Sequence, residues 1–427
     1  MRKVFTPERL VLARKRRRMT LAALAAASGV SAQSITAYEN HRVVPTSDTL
    51  SSLATALRFP LAFFAAPPTA EMQLDAVSFR APTKMSALER DSTLSSGVVA
   101  ASLNAWLEAR FKLPAPNVPT YPHLPPEEAA ERVRASWGLG EAPAPNLVHL
   151  LEANGVRVFS LAPDCLDADA FSTIRSGTPY VFLNTRKSGE RGRFDAAHEL
   201  GHLILHSEHR IPLGRQAEPE ANSFASAFLM PRAGIAAQQL HNASVERILS
   251  AKRKWGVSAM ALTYRLRDLD MLSEWRYSQA VKQLSRMGYR SAEPDSSLVR
   301  ESSQLLAKVF EALRSKTLSP ADLAAQIGIF PEELNDYVFG LVPIGVEGGG
   351  ERSHTARPNL QLVPDKGAAQ RTRQPAQAST LPFAGRTQPS QRRTGTVRFL
   401  SRDAGGTLPD TARGITDSDE VPEHSEG

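Results

Sequence analysis

The chain has 427 residues, a formal net charge of +7 and 42% hydrophobic residues, which is enough length for two or three domains. Its single cysteine, Cys165, excludes an intrachain disulfide framework and a cysteine-built zinc site, and fits a reducing compartment. No apolar run approaches transmembrane length and no apolar stretch follows the basic N-terminus as in a secretory leader, so the expectation is a cytoplasmic protein with no membrane partner.

The segment PERLVLARKRRR opens the chain with a helix pattern. Thr20 is a good N-cap for the helix that starts Leu21-Ala22-Ala23-Leu24, and Ser28-Gly29-Val30 breaks it. Ser31 caps a second helix, SAQSITAYEN, ending at Asn40-His41. Two short helices joined by a glycine-containing turn are a helix-turn-helix pattern. Leu24, Ala25, Val30 and Ile35 have the spacing to lock the pair together, and helices at Ser47 to Leu57 and Pro60 to Ala65 complete a five-helix unit. A basic run such as Arg14-Lys15-Arg16-Arg17-Arg18 is by itself a solvated face; beside a helix-turn-helix, and with Arg42 later, it is the expected cationic footprint on phosphates.

This text, LAALAAASGVSAQSITAYEN, is similar to the Cro/C1 (XRE) family of DNA-binding domains. The resemblance implies a partner, double-stranded DNA, with the helix from Ser31 entering the major groove. The DNA-contact candidates are Ser31, Ala32, Gln33, Thr36, Ala37 and Arg42, and Gln33 has the amide for a bidentate adenine contact. Leu21 stands where some relatives carry a polar residue, and His41 replaces the usual glycine after the helix, a strain on that cap. The resemblance also implies binding as a homodimer.

Residues 67–145 read as a helical connector: a short extended piece and a helix in the stretch from Pro67 to Phe111, the proline-rich LPAPNVPTYPHLPP, then a helix in EEAAERVRASWGL. From about residue 146 the pattern changes. A helix over 146–154 stops at Gly155, a strand follows over Val156 to Leu161, and strands at Phe171 to Ile174 and Tyr180 to Asn184 flank the turn-rich Arg175-Ser176-Gly177-Thr178-Pro179. A small sheet followed by helices is an α+β arrangement. A strand at the sheet edge either binds a peptide backbone by strand addition or only roofs the core.

The run RFDAAHELGHLILH holds His198-Glu199-Leu200-Gly201-His202. On a helix, residues four apart share a face, so His198 and His202 can aim two imidazoles at one ion while Glu199 projects beside them as a base for a metal-bound water. Such a site needs a third protein ligand. Glu220, in EPEANSFASAFLMP, lies on the same broad helix face as Phe224, Ala227 and Phe228, and a buried acid there calls for a cation opposite it. Glu218 is the alternative ligand, two residues away and so on another face. His206 is too far along the helix to share the ion, about 12 Å from His198, and reads as a supporting histidine. Asp195 is a candidate acceptor for the second ring nitrogen of a ligand, or a solvated residue near a helix start. Further on, Tyr264 and Arg265 are candidates for steadying an oxyanion, with core packing and a solvated face as the plainer readings.

LVHLLEANGVRVFSL, FSTIRSGTPYVFLNT, RFDAAHELGHLILH and EANSFASAFLMP together resemble the ImmA/IrrE-type metallo-endopeptidase domain, over about residues 147 to 290. The resemblance implies a zincin-like domain of a zinc-dependent bacterial endopeptidase that cleaves a repressor-like protein substrate. Its roles fall on His198, His202 and Glu220 for one Zn²⁺ and on Glu199 for catalysis.

Residues 291–345 are expected to be a helical interaction module, in which LSPADLAAQIGIFPEELNDYVFGL echoes the layout of the first helix-turn-helix. Residues 346–427 are rich in Gly, Pro, Gln, Ser, Thr and Arg and are expected to be a disordered tail. The expected architecture is therefore an all-α helix-turn-helix domain (1–66), the connector, an α+β metallopeptidase domain (146–290), the helical segment and the tail. Its expected function is a DNA-binding regulator that cuts a regulatory protein. The alternative is a transcription factor whose metallopeptidase-like domain senses or supports without proteolysis.

Overall fold

Hydroxyl side chains set the helix starts of the N-terminal region. In the computed structural model, which describes residues 5–69, 77–79, 85–165, 168–206, 216–338, 340–342 and 361–362, Thr20 Oγ1 accepts from Ala23 N–H and Ser31 Oγ from Ser34 N–H. These caps begin α2 (Leu21–Ser28) and α3 (Ala32–Glu39), after α1 (Pro7–Arg16); Thr46 likewise begins α4 (Ser47–Leu57). Leu24 and Ile35 are fully buried where the helices meet. The expected helix at Pro60 to Ala65 is a single 3-10 turn, Phe63–Ala65, whose Phe63 and Phe64 join Phe59 in the core. His41 does adopt a left-handed backbone, φ 59°, without a glycine.

The arginine run does not form a solvent-facing phosphate footprint. Arg14 makes a bidentate pair with Glu39, at 2.7 and 2.8 Å. Arg16 is fully buried, with Nε 2.7 Å from Glu333, one terminal nitrogen 2.6 Å from Asp164 and the other 3.3 Å from Asp336. Arg17 takes the other oxygen of Glu333 at 2.7 Å, and Arg18 donates to the Asp164 carbonyl. The carboxylates come from far along the chain, which is why local sequence reads the run as free cations.

Two of those carboxylates, Glu333 and Asp336, sit on a second copy of the same motif. After α14 (Gln304–Ser315) come α15 (Pro320–Ile327) and α16 (Pro331–Val338). A constant shift of 299 positions relates the two units: Arg18 at φ 54° to Thr317 at φ 57°, N-cap Thr20 to N-cap Ser319, Gly29 to Gly328, buried Leu24 to Leu323 and buried Ile35 to Leu334. The echo in the sequence is thus a structural helix-turn-helix repeat. Its second helix offers Glu333 and Asp336 to the first unit's arginines.

Between these units runs α5 (Ala87–Glu108), started by a reciprocal capping box of Ser86 and Glu89. Ser92 donates from α5 to the Arg16 carbonyl at 2.9 Å, and α1 packs along the helix. The other side of α5 meets a four-stranded sheet of order β1-β4-β5-β3, built from β1 (Val77–Phe79), β3 (Arg157–Ser160), β4 (Ala170–Arg175) and β5 (Thr178–Leu183). β4 is antiparallel to both β1 and β5, while β3 runs parallel to β5. Phe159, Phe171, Tyr180 and Phe182 stack on one face, where Asn104 of α5 donates to the Tyr180 hydroxyl at 2.9 Å.

The hairpin differs from its expected form in one respect. Its turn is the two residues Ser176 and Gly177, both at positive φ, and Arg175, Thr178 and Pro179 belong to the paired strands. β3 is buried along its whole length because both sheet faces are covered. A separate two-stranded ladder pairs β2 (Phe111–Lys112) with β6 (Gln361–Leu362), so the stretch expected to be structureless contains that short strand. The rest of 346–427 lies outside the described residues.

Against the second sheet face lies α8 (Gly189–Leu205), followed by α9 (Ala217–Leu229); α6 (Pro126–Ser136) and α7 (Leu147–Ala153) flank them. α10 (Arg232–Ala236), α11 (Val245–Trp255), α12 (Ala259–Asp268) and α13 (Glu274–Arg286) follow, with α12 against α9 and α11 to α13 packed on one another. Gly201 sets the α8–α9 approach, since a Cβ there would stand 3.2 Å from the Ala221 Cα and 3.1 Å from the Phe224 ring. The arrangement is a helical helix-turn-helix region followed by an α+β region.

Candidate metal centre

Buried polar side chains on α8 define the site. His198, Glu199 and His202 are almost completely enclosed. Their helix is started by Ser188, whose hydroxyl accepts from Arg191 N–H, and it carries the two histidines one turn apart on a single face. His198 Nε2 and His202 Nε2 lie 3.1 Å from each other. The third corner is Glu218, with one oxygen 3.3 Å from His202 Nε2 and the other 3.5 Å from His198 Nε2.

The ligand expected at Glu220 is corrected to Glu218. α9 begins at Ala217, and its face toward α8 carries Glu218, Ala221, Asn222 and Ala225, so the residue two places on is rotated away from the imidazole pair. Glu220 instead accepts from His206 Nε2 at 2.9 Å. That contact has a consequence for the cluster. With Nε2 of His206 protonated toward Glu220, its Nδ1 accepts from the Nδ1–H of His202, 3.0 Å away, which leaves a lone pair on His202 Nε2 facing the cluster. For the other ligand, Asn222 Oδ1 lies 3.1 Å from His198 Nδ1 and fixes the same tautomer. Asn222 thus fills the role considered for Asp195, whose carboxylate takes the Lys187 ammonium at 2.7 Å. Asn222 escaped the sequence reading, and its only signal is a position one turn beyond Glu218.

The donor set fits a small divalent cation. Bonds of about 2.0–2.2 Å in tetrahedral geometry put ligand atoms roughly 3.3–3.6 Å apart; the two Nε2 atoms here are 3.1 Å apart, and each has one of the two Glu218 oxygens at 3.3 or 3.5 Å. Burial holds His202 down to about 4, so its ring is neutral at physiological pH. Burial opposes the anion of Glu218, but the facing His198 and His202 outweigh it and hold the carboxyl down to about 2. Two neutral imidazoles and a carboxylate are a zinc-type set. Glu199, next to His198, turns toward the sheet, where Ser172 Oγ donates to its Oε2 at 2.6 Å.

A cleft of about 570 Å³ opens beside the cluster, lined among others by Asn222, Asp195, Phe194, Met260 and Tyr264. Tyr264 is half exposed there rather than packed in a core. Arg265 is neither a solvated nor an oxyanion-facing residue; it is buried and clamps Glu127 at 2.6 and 2.7 Å.

On and around α3, Ser31 and Gln33 are exposed, Ala32, Thr36 and Ala37 are partly so, and Arg42 is exposed just beyond its end. Ser31 also serves as the cap, and the Thr36 hydroxyl donates back to the Ala32 carbonyl at 2.8 Å.

Two family models match the chain: the IrrE N-terminal-like domain, a peptidase family, over residues 151–267, and the helix-turn-helix over residues 10–64. The first span contains β3 to β5, α8 and α9, and hence every residue of the cluster; the second contains α2 and α3. The chain carries a helix-turn-helix DNA-binding domain followed by a metallopeptidase-like domain of the IrrE type. No curated protein matches it. Among the described residues, no helix is long and apolar enough to cross a membrane.

Proposed function

We propose that this chain, a helix-turn-helix joined to an IrrE N-terminal-like domain, is a cytoplasmic DNA-binding regulator whose second domain is a zinc endopeptidase acting on a regulatory protein such as a repressor. The observation that carries the reading is the convergence of the buried His198 and His202 of α8 with Glu218 of α9, next to the buried Glu199. His198, His202 and Glu218 would hold the ion, and Glu199 would be the acid–base group. Bound zinc supplies Lewis acidity and lowers the pKa of a coordinated water. Glu199 takes the proton of the attacking water and delivers it to the leaving amine, and its bond from Ser172 keeps one carboxylate oxygen oriented during both transfers. Asn222 and the His206–Glu220 pair keep both ring lone pairs aimed inward.

For the DNA-binding half, Gln33 with Ser31, Ala32, Thr36 and Ala37 forms the base-reading surface and Arg42 reaches a phosphate. A homodimer would set two such helices on successive half-sites.

The test is to purify the wild type and Glu199→Gln, measure zinc, and incubate each with repressors encoded nearby. Cleavage by the wild type alone, with equal zinc in both, is the expected result. If both hold one zinc and bind DNA but neither cuts, the domain is a sensor or scaffold.

A further inference from the structure

The sheet has two edges, and only one adjoins the site. β3 forms one edge and is separated from β4 by β5. The other edge of β4 lies beside the residue that holds Glu199, since Ser172 is on β4 and its hydroxyl bonds that carboxylate. This outer edge of β4 is already paired. Residues 77–79 of the connector pair with it in antiparallel register, Val77 with Thr173, Ser78 with Ser172 and Phe79 with Phe171.

We propose that the outer edge of β4 is a binding site for an extended polypeptide segment, that the chain's own residues 77–79 are its resident occupant, and that a protein substrate binds by displacing them and adding as an antiparallel strand. This rests on the peptidase reading above and specifies its substrate class: an unfolded or extended segment rather than a helix. Strand addition recognises a backbone through its regular N–H and C=O groups, so an edge next to a peptide-bond-cleaving site aligns a chain with little regard to its sequence. The resident strand is suited to be temporary. It spans three residues and has β4 as its one partner in the sheet.

Its attachments give the displacement a direction. Upstream, the chain is fastened to the first helix-turn-helix: the Thr6 hydroxyl donates to the Ala66 carbonyl at 2.8 Å, and Arg9 Nε to the Pro67 carbonyl at 2.9 Å. Downstream, the Ser86–Glu89 capping box starts α5, on which α1 packs. Residues 77–79 therefore strap the DNA-binding unit to the cleavage site, and occupancy of the edge by another chain releases that strap.

The test uses the full chain carrying Glu199→Gln, to prevent turnover of the probe, with and without Ser78→Pro. Proline removes a backbone donor and disfavours the strand. A second strap variant, with Val77, Ser78 and Phe79 all changed to Gly, guards against a folding defect specific to proline. The probe is a fluorescein-labelled synthetic peptide, LDAVSFRAPTK, matching residues 74–84. Both strap variants should bind it at least tenfold more tightly than the parent. Their amides at 171–173 should exchange hydrogen at least tenfold faster than the parent's, and added peptide should restore protection. Equal peptide binding and equal exchange in parent and variants would overturn the proposal. A zinc-loaded wild type that cuts nothing, while peptide still protects β4 in the variants, removes the hydrolase and keeps the site. Cleavage of a repressor without protection of β4 does the reverse.

Discussion

Replacing Arg16 with methionine separates the two roles open to the arginine run. The wild-type guanidinium is fully buried and meets Glu333, Asp164 and Asp336 at 2.7, 2.6 and 3.3 Å. Breaking a buried ion pair from one side costs roughly 3–5 kcal/mol because the stranded partner keeps its desolvation penalty. Here Glu333 retains Arg17 at 2.7 Å, and Asp164 and Asp336 are 45% and 29% exposed and can rehydrate. The loss should therefore fall near the lower end, about 3 kcal/mol. Urea denaturation would read that loss, with limited proteolysis reporting release of the N-terminal unit. DNA binding measured over a salt series in the same variant should keep its slope, since a phosphate contact contributes about 0.9 to it. A stability loss below about 1 kcal/mol, together with a slope shallower by about 0.9, would refute the assignment of this arginine to domain docking.

Three further outcomes follow from the same geometry. Asn222→Ala frees His198 Nδ1, and zinc affinity measured by chelator competition should fall about 10- to 100-fold with the fold unchanged by circular dichroism. Gly201→Val forces α8 and α9 apart, since even a Cβ stands 3.1–3.2 Å from Phe224 and Ala221; a loss of about 1–3 kcal/mol by chemical denaturation and weakened zinc binding are expected. Glu152 is held up near 7 by burial, against bonds from Ser303, Gln304 and Leu305, so the folded state retains a proton that the unfolded state releases. Its contribution is present below about pH 4.5 and is lost as pH rises through about 7, on the order of 3 kcal/mol. Denaturation curves between pH 4 and 8 should show that decline in the wild type and a flatter profile in Glu152→Gln.

How much of this was legible beforehand depended on whether the determinant was local. The caps Thr20 and Ser31, the helix over Ser47–Leu57 and the one-turn spacing of His198 and His202 are local, and each appears in the structure as the residues imply. The third corner of the cluster was not. A carboxylate on α9 was expected, but its identity depends on the phase of α9 against α8, and Gly201 sets that phase by admitting Ala221 and Phe224. An error of two positions is about half a helical turn, enough to exchange Glu218 for Glu220. The arginine run failed for a related reason: cations at 16 and 17 are indistinguishable from a DNA footprint until Glu333 and Asp336 arrive from the far end of the chain. Residues 77–79 read as a short extended piece, yet nothing nearby in sequence says that β4, almost a hundred residues on, is their partner.

The most direct measurement is zinc affinity for the wild type, Glu218→Gln and Glu220→Gln, each stripped of metal and titrated against a competing chelator. Glu218→Gln should lose more than the roughly 10- to 100-fold that a supporting partner contributes, while Glu220→Gln, which keeps an acceptor for His206, should stay at or below the bottom of that range. Near wild-type affinity in Glu218→Gln with severe loss in Glu220→Gln would contradict the site as drawn.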